Sequence, residues 1–190
     1  MRILHISEDS QFTQFISKRF EMAAPKANDY VIICKKRIRY KINEGKIYII
    51  APKIWAFLYV ILVSRKYDIL LAHGLNKISI FLFLFCRKKI KVWSGWGFDY
   101  YNNNDLCLYD KHTKDIFLKK ERKIYNIYKV FSIKIIEKVV AEIQYFSAPI
   151  PTDFSVMKKK YSNFSGKYIQ LNYGSLEETF FSGGDKITHP

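Results

Sequence analysis

Acidic residues are scarce in this chain of 190 residues. It carries 17 Asp and Glu against 32 Lys and Arg, which leaves a formal charge of +15. Cysteine is scarcer still, with Cys34, Cys86 and Cys107 far apart in sequence. Three scattered thiols exclude a disulfide framework, and the absence of CxxC spacing argues against a zinc knuckle. The expectation is a reducing compartment with free, mostly buried thiols. No apolar run approaches the ~18 residues that suggest a membrane span; the two longest cover 54–63 and 78–86. The N-terminus lacks a basic start and a long apolar core, so no signal peptide is expected. Also missing are GxGxxG after the first strand, a P-loop, a GxSxG elbow, HExxH and any Cys/His cluster. Nicotinamide enzymes, P-loop NTPases and hydrolases of those types are therefore disfavoured, and no metal is expected.

What is present is apolar and aromatic: 49% hydrophobic residues and 17% Phe, Trp and Tyr. That share excludes a disordered polyelectrolyte. The basic excess has a bland reading, the codon bias of an AT-rich genome. Its functional reading is a phosphate-bearing partner: nucleic acid, an anionic membrane surface or a lipid-linked diphosphate.

Patterning predicts strands over 2–6 (RILHI), 30–34 (YVIIC), 46–51 (KIYIIA), 67–72 (YDILLA), 89–93 (KIKVW), 145–148 and 167–171 (KYIQL). Between them it predicts helices over 12–22, 53–65, 76–87, 112–143 and 151–161. Ser10 is the expected cap of the first, with Phe12, Phe15, Ile16 and Phe20 on its buried face. The helix over 53–65 follows Pro52 and is apolar nearly all round, which implies burial on two sides. The helix over 112–143 sets Phe117, Ile124, Ile127, Phe131, Ile135 and Val139 against a face of lysines and arginines. Alternating strands and helices specify an α/β domain with a mostly parallel, Rossmann-like sheet. It is expected to fill residues 1–174, with 175–190 as a linker.

Ligands of such sheets bind beyond the carboxyl ends of the strands. Two polar spots fall there: His73-Gly74-Leu75, and the loop WSGWGFDYY over 93–101. Glycines allow sharp turns and close approach, while Trp and Tyr offer flat faces and N–H or O–H donors. Asp99 is the carboxylate of that loop and suits the acceptance of a proton from an attacking hydroxyl. The plainer readings are an aromatic turn with Asp99 as a helix cap, and His73 as the cap of the helix after it. His5 reads as a satisfied core histidine. The lysine-rich face of 112–143, joined by KKRIRYK over 35–41 and by Lys158, Lys159 and Lys160, reads as a solvated face or a contact with anionic lipid.

At HGL, VWSGWGFDYYN (92–102) and SAPIPTDF with KYIQLNYGS (147–175), the sequence resembles the amino-terminal half of bacterial glycosyltransferase family 56. These are the 4-acetamido-4,6-dideoxygalactose (Fuc4NAc) transferases of enterobacterial common antigen synthesis. The W-x-x-W-G-x-D loop is the most specific part of the match; the family usually has glycine where this chain has Phe98. The resemblance implies the acceptor-side domain of a two-domain GT-B fold. It implies transfer of an amino-deoxy sugar from a nucleotide-diphospho-sugar to a polyprenyl-diphosphate-linked saccharide. The donor is expected to bind mainly a second, carboxy-terminal domain, supplied by a longer chain or a separate partner, and this chain alone is expected to be inactive. Asp99 is the first candidate base and His73 the second. Gly74, Trp93, Gly95, Trp96, Gly97, Tyr100 and Tyr173 are expected at the acceptor. The expected location is the cytoplasm, peripheral on the cytoplasmic face of the inner membrane. The rival reading is a basic nucleic-acid- or membrane-binding α/β module without catalysis; the lack of RNP, KH or helix-turn-helix signatures disfavours nucleic acid.

Overall fold

Continuous apolar segments such as YVII and ILLA suit strands covered on both faces, and that is where they sit. The computed structural model describes residues 1–34, 38–40, 42, 45–50, 54–97, 99–100 and 133–171. Within them the order is β1 (Ile3–Glu8), α1 (Gln11–Ala23), β2 (Asn28–Ile33), β3 (Ile47–Ile50), α2 (Ile54–Ser64), β4 (Ile69–His73), α3 (Lys77–Phe85) and β5 (Ile90–Ser94). Then follow α4 (Ile133–Ala141), β6 (Tyr145–Ser147), α5 (Asp153–Lys160) and β7 (Lys167–Tyr168). Phe98, Tyr173, the rest of the expected helix over 112–143, most of KKRIRYK and the expected linker over 175–190 lie outside the described residues.

The strands form one parallel sheet in the order β3-β2-β1-β4-β5-β6-β7. This is the Rossmann-like α/β arrangement expected. The chain winds outward from β1 to β3, then returns to place β4 on the other side of β1. The strand order therefore reverses between β1 and β4, and in sheets of this kind ligands bind beyond the carboxyl ends at that point.

One face of the sheet presents Leu4, Ile6, Val31, Leu70, Ala72, Trp93 and Phe146 to the main core, which also takes in Val60, Leu82, Ile136 and Met157 from α2 to α5. On the other face Ile3, Leu71 and Val92 pack against Phe20 of α1 and against Ile169 and Leu171. Tyr30 and Ile32 extend that side into a smaller cluster.

Two expectations need correction. In α1, Ser10 does cap the helix, accepting from the Thr13 N–H, but the buried residues are Thr13, Ile16 and Ser17, and Phe12 is exposed. The cause is the polarity of the strands beneath. Ser7 Oγ meets Thr13 Oγ1 at 2.6 Å, and the Tyr30 hydroxyl donates to the Ser17 carbonyl at 3.4 Å. In α2, burial on two sides fails. Val60, Val63 and Ser64 are buried, while Trp55, Leu58, Tyr59 and Leu62 are exposed. No helix among the described residues is long and apolar enough to cross a membrane.

Candidate functional site

The candidate site, beside the reversal in strand order, is built from the last residues of β4 and β5. His73 and Ser94 are register partners at the two strand ends. By strand alternation they share the face that carries His5 and Ser7 of β1 and Ser147 of β6. The Gly74 N–H donates to the Ser94 carbonyl at 2.8 Å, and the Gly95 N–H to the Ser147 carbonyl at 2.7 Å, so both loops leave the sheet in step. Gly74 has φ +80°, a conformation that other residues adopt only with strain. At Gly95 a Cβ would sit 2.5 Å from the Tyr100 ring and 2.8 Å from Phe146.

Asp99 holds the two loops together. One carboxylate oxygen accepts from the Leu75 N–H at 2.9 Å and the Trp93 indole N–H at 2.6 Å; the other accepts from the Trp96 N–H at 3.0 Å. The residue is buried. Burial pushes its pKa up, and the N–H donors from Leu75, Trp93 and Trp96 work against that shift. These partners only donate, so they select the carboxylate and occupy it.

His73 is differently placed. Its ring is buried and its Nε2 lies 3.0 Å from His5 Nδ1; His5 Nε2 lies 3.2 Å from Asn28 Oδ1. The Asn28 amide nitrogen faces the carbonyls of Phe20 and Ala24, which fixes Oδ1 as the acceptor. His5 therefore donates from Nε2 and accepts at Nδ1, and His73 donates from Nε2, an assignment that follows from the network. That leaves His73 Nδ1 with a bare lone pair and no hydrogen-bond partner among the described residues. Ser94 Oγ beside it and the Asn76 amide nitrogen are likewise buried without a partner among the described residues. Burial lowers the pKa of His5 to about 4 and that of His73 well below its usual value, where the neighbouring His5 contributes in the same direction. Both rings are neutral near pH ~7.

His73 is not a helix cap. Asn76 takes that role on α3, accepting from the Ile78 and Ser79 N–H groups at 3.0 Å each, while Ser79 Oγ accepts from the Asn76 N–H at 2.8 Å.

The expected acceptor residues divide. Gly74, Gly95, Gly97 and Trp96 lie on the loops at the strand ends. Trp93 and Tyr100 do not offer open ring faces: both are fully buried, packed with Phe146 at ring-centroid distances of 4.9 and 5.7 Å. The Tyr100 hydroxyl donates to Asp153 at the start of α5 at 2.7 Å. Trp96 is the partly exposed indole, 6.4 Å from the His73 ring and 5.7 Å from that of Phe12. Sequence reasoning missed Ser94, Asn28 and Phe12 as parts of this cluster; His5 is the satisfied core histidine expected, buried with both ring nitrogens partnered, and one of those partners is His73. No local signal marks them, because parallel pairing across 68 residues brings the two histidines together. Away from this site, a pocket of about 280 Å³ lined by Glu142, Gln144, Gly166 and Lys167 opens at the amino ends of β6 and β7.

No protein-family model matches this chain, and no curated protein does. Among solved structures it is similar to an uncharacterized protein from Mycobacterium paratuberculosis. The identity is 7% and the TM-score 0.37, over 92% of this chain and 82% of that one.

Proposed function

We propose that the carboxyl end of the sheet is the acceptor side of a glycosyl-transfer site, with His73 as the general base. The bare, buried Nδ1 of His73 at the switch in strand order carries this reading. The resemblance of the HGL and W-x-x-W-G-x-D segments to glycosyltransferase family 56 supports the substrate class: a polyprenyl-diphosphate-linked saccharide as acceptor and a nucleotide-diphospho-amino-deoxy sugar as donor. The donor is held by a second domain. The acceptor hydroxyl oxygen forms its bond to the anomeric carbon as the bond from that carbon to the diphosphate breaks. The hydroxyl proton passes to His73 Nδ1, and the nucleoside diphosphate leaves with the electron pair. His5 accepts the Nε2–H of His73 and holds the ring in the required tautomer. Ser94 Oγ, next to His73 in register, hydrogen-bonds the acceptor. Trp96, the partly exposed ring beside His73, packs against the sugar. Asp99 positions both loops instead of taking the proton, because its oxygens already accept three N–H groups.

Transfer of labelled sugar to the lipid-linked acceptor, by this chain together with its donor-binding domain, tests the reading. His73→Gln is expected to lower kcat by ~10²-fold or more with the melting temperature held. Near-normal turnover in that variant overturns His73 as base. Absence of transfer by the unaltered pair, with any lipid-linked saccharide of this class, overturns the function.

A further inference from the structure

The side of α2 that faces away from the core is apolar. Trp55, Leu58, Tyr59 and Leu62 are 76, 52, 47 and 56% exposed. Their spacing of three, four and seven residues is that of a single helical stripe, about 10 Å long at 1.5 Å per residue. The stripe is not isolated. Phe57 meets Phe81 of α3 edge-on at 4.7 Å, and Phe81 meets Phe85 at 4.6 Å. Phe85 is itself 58% exposed, so the apolar surface runs from α2 onto the end of α3. A surface of this kind on a folded domain marks an interaction site.

The charge beside it is of one sign. Arg65 and Lys66 continue the outer side of α2 and are exposed, as are Arg87 and Lys88 after α3. The two basic turns adjoin, since Lys89 Nζ donates to the backbone carbonyls of Arg65 and Tyr67. Between residues 54 and 97 the single acid is Asp68, and its carboxylate accepts from the Arg2 N–H at 2.7 Å. Exposed Trp, Leu, Tyr and Phe next to a cluster of Arg and Lys is the composition that lies in the headgroup region of a bilayer. A second copy fits poorly, because a two-fold contact sets the same patch against itself and brings like charges together.

We infer that the outer face of α2, with Phe85 and the turns 65–66 and 87–88, docks on an anionic lipid surface. The apolar stripe enters the headgroup–acyl boundary and the four cations meet anionic headgroups. This deepens the transfer reading, since it brings a polyprenyl-linked acceptor to the domain. It rests on that reading for its purpose but not for its measurement.

The test is co-sedimentation of the full chain with phosphatidylcholine vesicles, with and without phosphatidylglycerol, in the absence of donor and acceptor. Binding is expected only to the anionic vesicles. Leu58→Ser with Leu62→Ser, and separately Arg65→Gln with Lys66→Gln, each lower partitioning on the order of tenfold. Both pairs are exposed, so the fold tolerates them. Brominated acyl chains are expected to quench the tryptophan emission of the unaltered chain, and that quenching is lost in Trp55→Phe. No binding to anionic vesicles overturns the proposal. So does binding that neither pair weakens, or that leaves tryptophan unquenched. A dimer that the Leu58/Leu62 pair dissolves, without vesicle binding, assigns the face to a second copy instead. Transfer to an acceptor in detergent proceeds whether or not vesicles bind, so the two readings fail separately.

Discussion

The two ends of the sheet treat polar groups in opposite ways. At the amino ends, the charges that folding buries are paired. Asp29, buried at the start of β2, accepts from the Arg2 guanidinium at 2.7 Å, the Tyr67 hydroxyl at 2.7 Å and the Lys46 N–H at 2.6 Å. Lys91, buried near the start of β5, is paired with Glu142. At the carboxyl ends, His73 Nδ1, Ser94 Oγ and the Asn76 amide nitrogen are buried with no partner among the described residues. Such groups each cost roughly 1–3 kcal/mol, a cost that folds rarely retain without a use. The amino end is finished structure. On the transfer reading, the carboxyl end keeps these groups for an acceptor.

Substitutions at the amino end should therefore cost stability, and those at the carboxyl end should cost function. The largest loss of stability is expected for Asp29→Ala. It leaves the Tyr67 hydroxyl and the Lys46 N–H without their shared acceptor, and urea unfolding should show a loss of about 3 kcal/mol. A loss below about 1 kcal/mol would mean that the amino end is not the better-bonded one.

Acid sharpens the contrast from the middle of the molecule, through His5. Burial is the main cause of its lowered pKa, about 4 in place of 6.5, while the Asn28 hydrogen bond and the Asp29 charge pull the other way. The folded protein thus refuses a proton that the unfolded chain accepts. Its contribution is complete above pH ~6.5, falls as the pH drops from there and levels off below about 4. Between pH ~7 and pH ~5 the loss attributable to His5 is about 2 kcal/mol, and His73 adds to it in the same direction. Unfolding at both pH values, repeated in His5→Gln, isolates the share of His5. An equal pH dependence in the variant would show that other groups dominate.

The fold was legible because its signals are local. Apolar runs gave the strands, and the Ser10 cap and the helical periods gave the helices between them. Both polar spots at strand ends, His73-Gly74 and the loop from Gly95 to Asp99, were visible for the same reason. Pairing across the sheet was not. Nothing near His5 announces that β4 will set His73 against it, and nothing near Ser94 announces a histidine beside it. The outward turn of Phe12 depends on Ser7 in the strand below. The exposure of one side of α2 depends on how much sheet there is to cover, which composition does not reveal. Trp93 and Asp99 read as ligand groups because of their types; the five residues between them allow the indole N–H to meet the carboxylate instead.

Asp99→Asn breaks the comparison at its seam. The amide keeps one acceptor oxygen but turns an N–H₂ toward N–H donors, so a loss of about 2 kcal/mol is expected, together with looser loops at residues 74–76 and 94–97. Hydrogen exchange of the Leu75 and Trp96 amides should rise in step. An unchanged exchange rate with transfer abolished would return Asp99 to the role of base. His73→Gln is the smallest change in stability and the most informative. Its amide nitrogen can still donate to His5 Nδ1 as His73 Nε2 does, and the lone pair it removes had no partner to lose. Stability should therefore stay within about 1 kcal/mol of the unaltered chain, while transfer falls by ~10²-fold or more. A loss of stability as large as that of Asp29→Ala would place His73 with the finished amino end, and its open nitrogen would then be a packing compromise instead of a base.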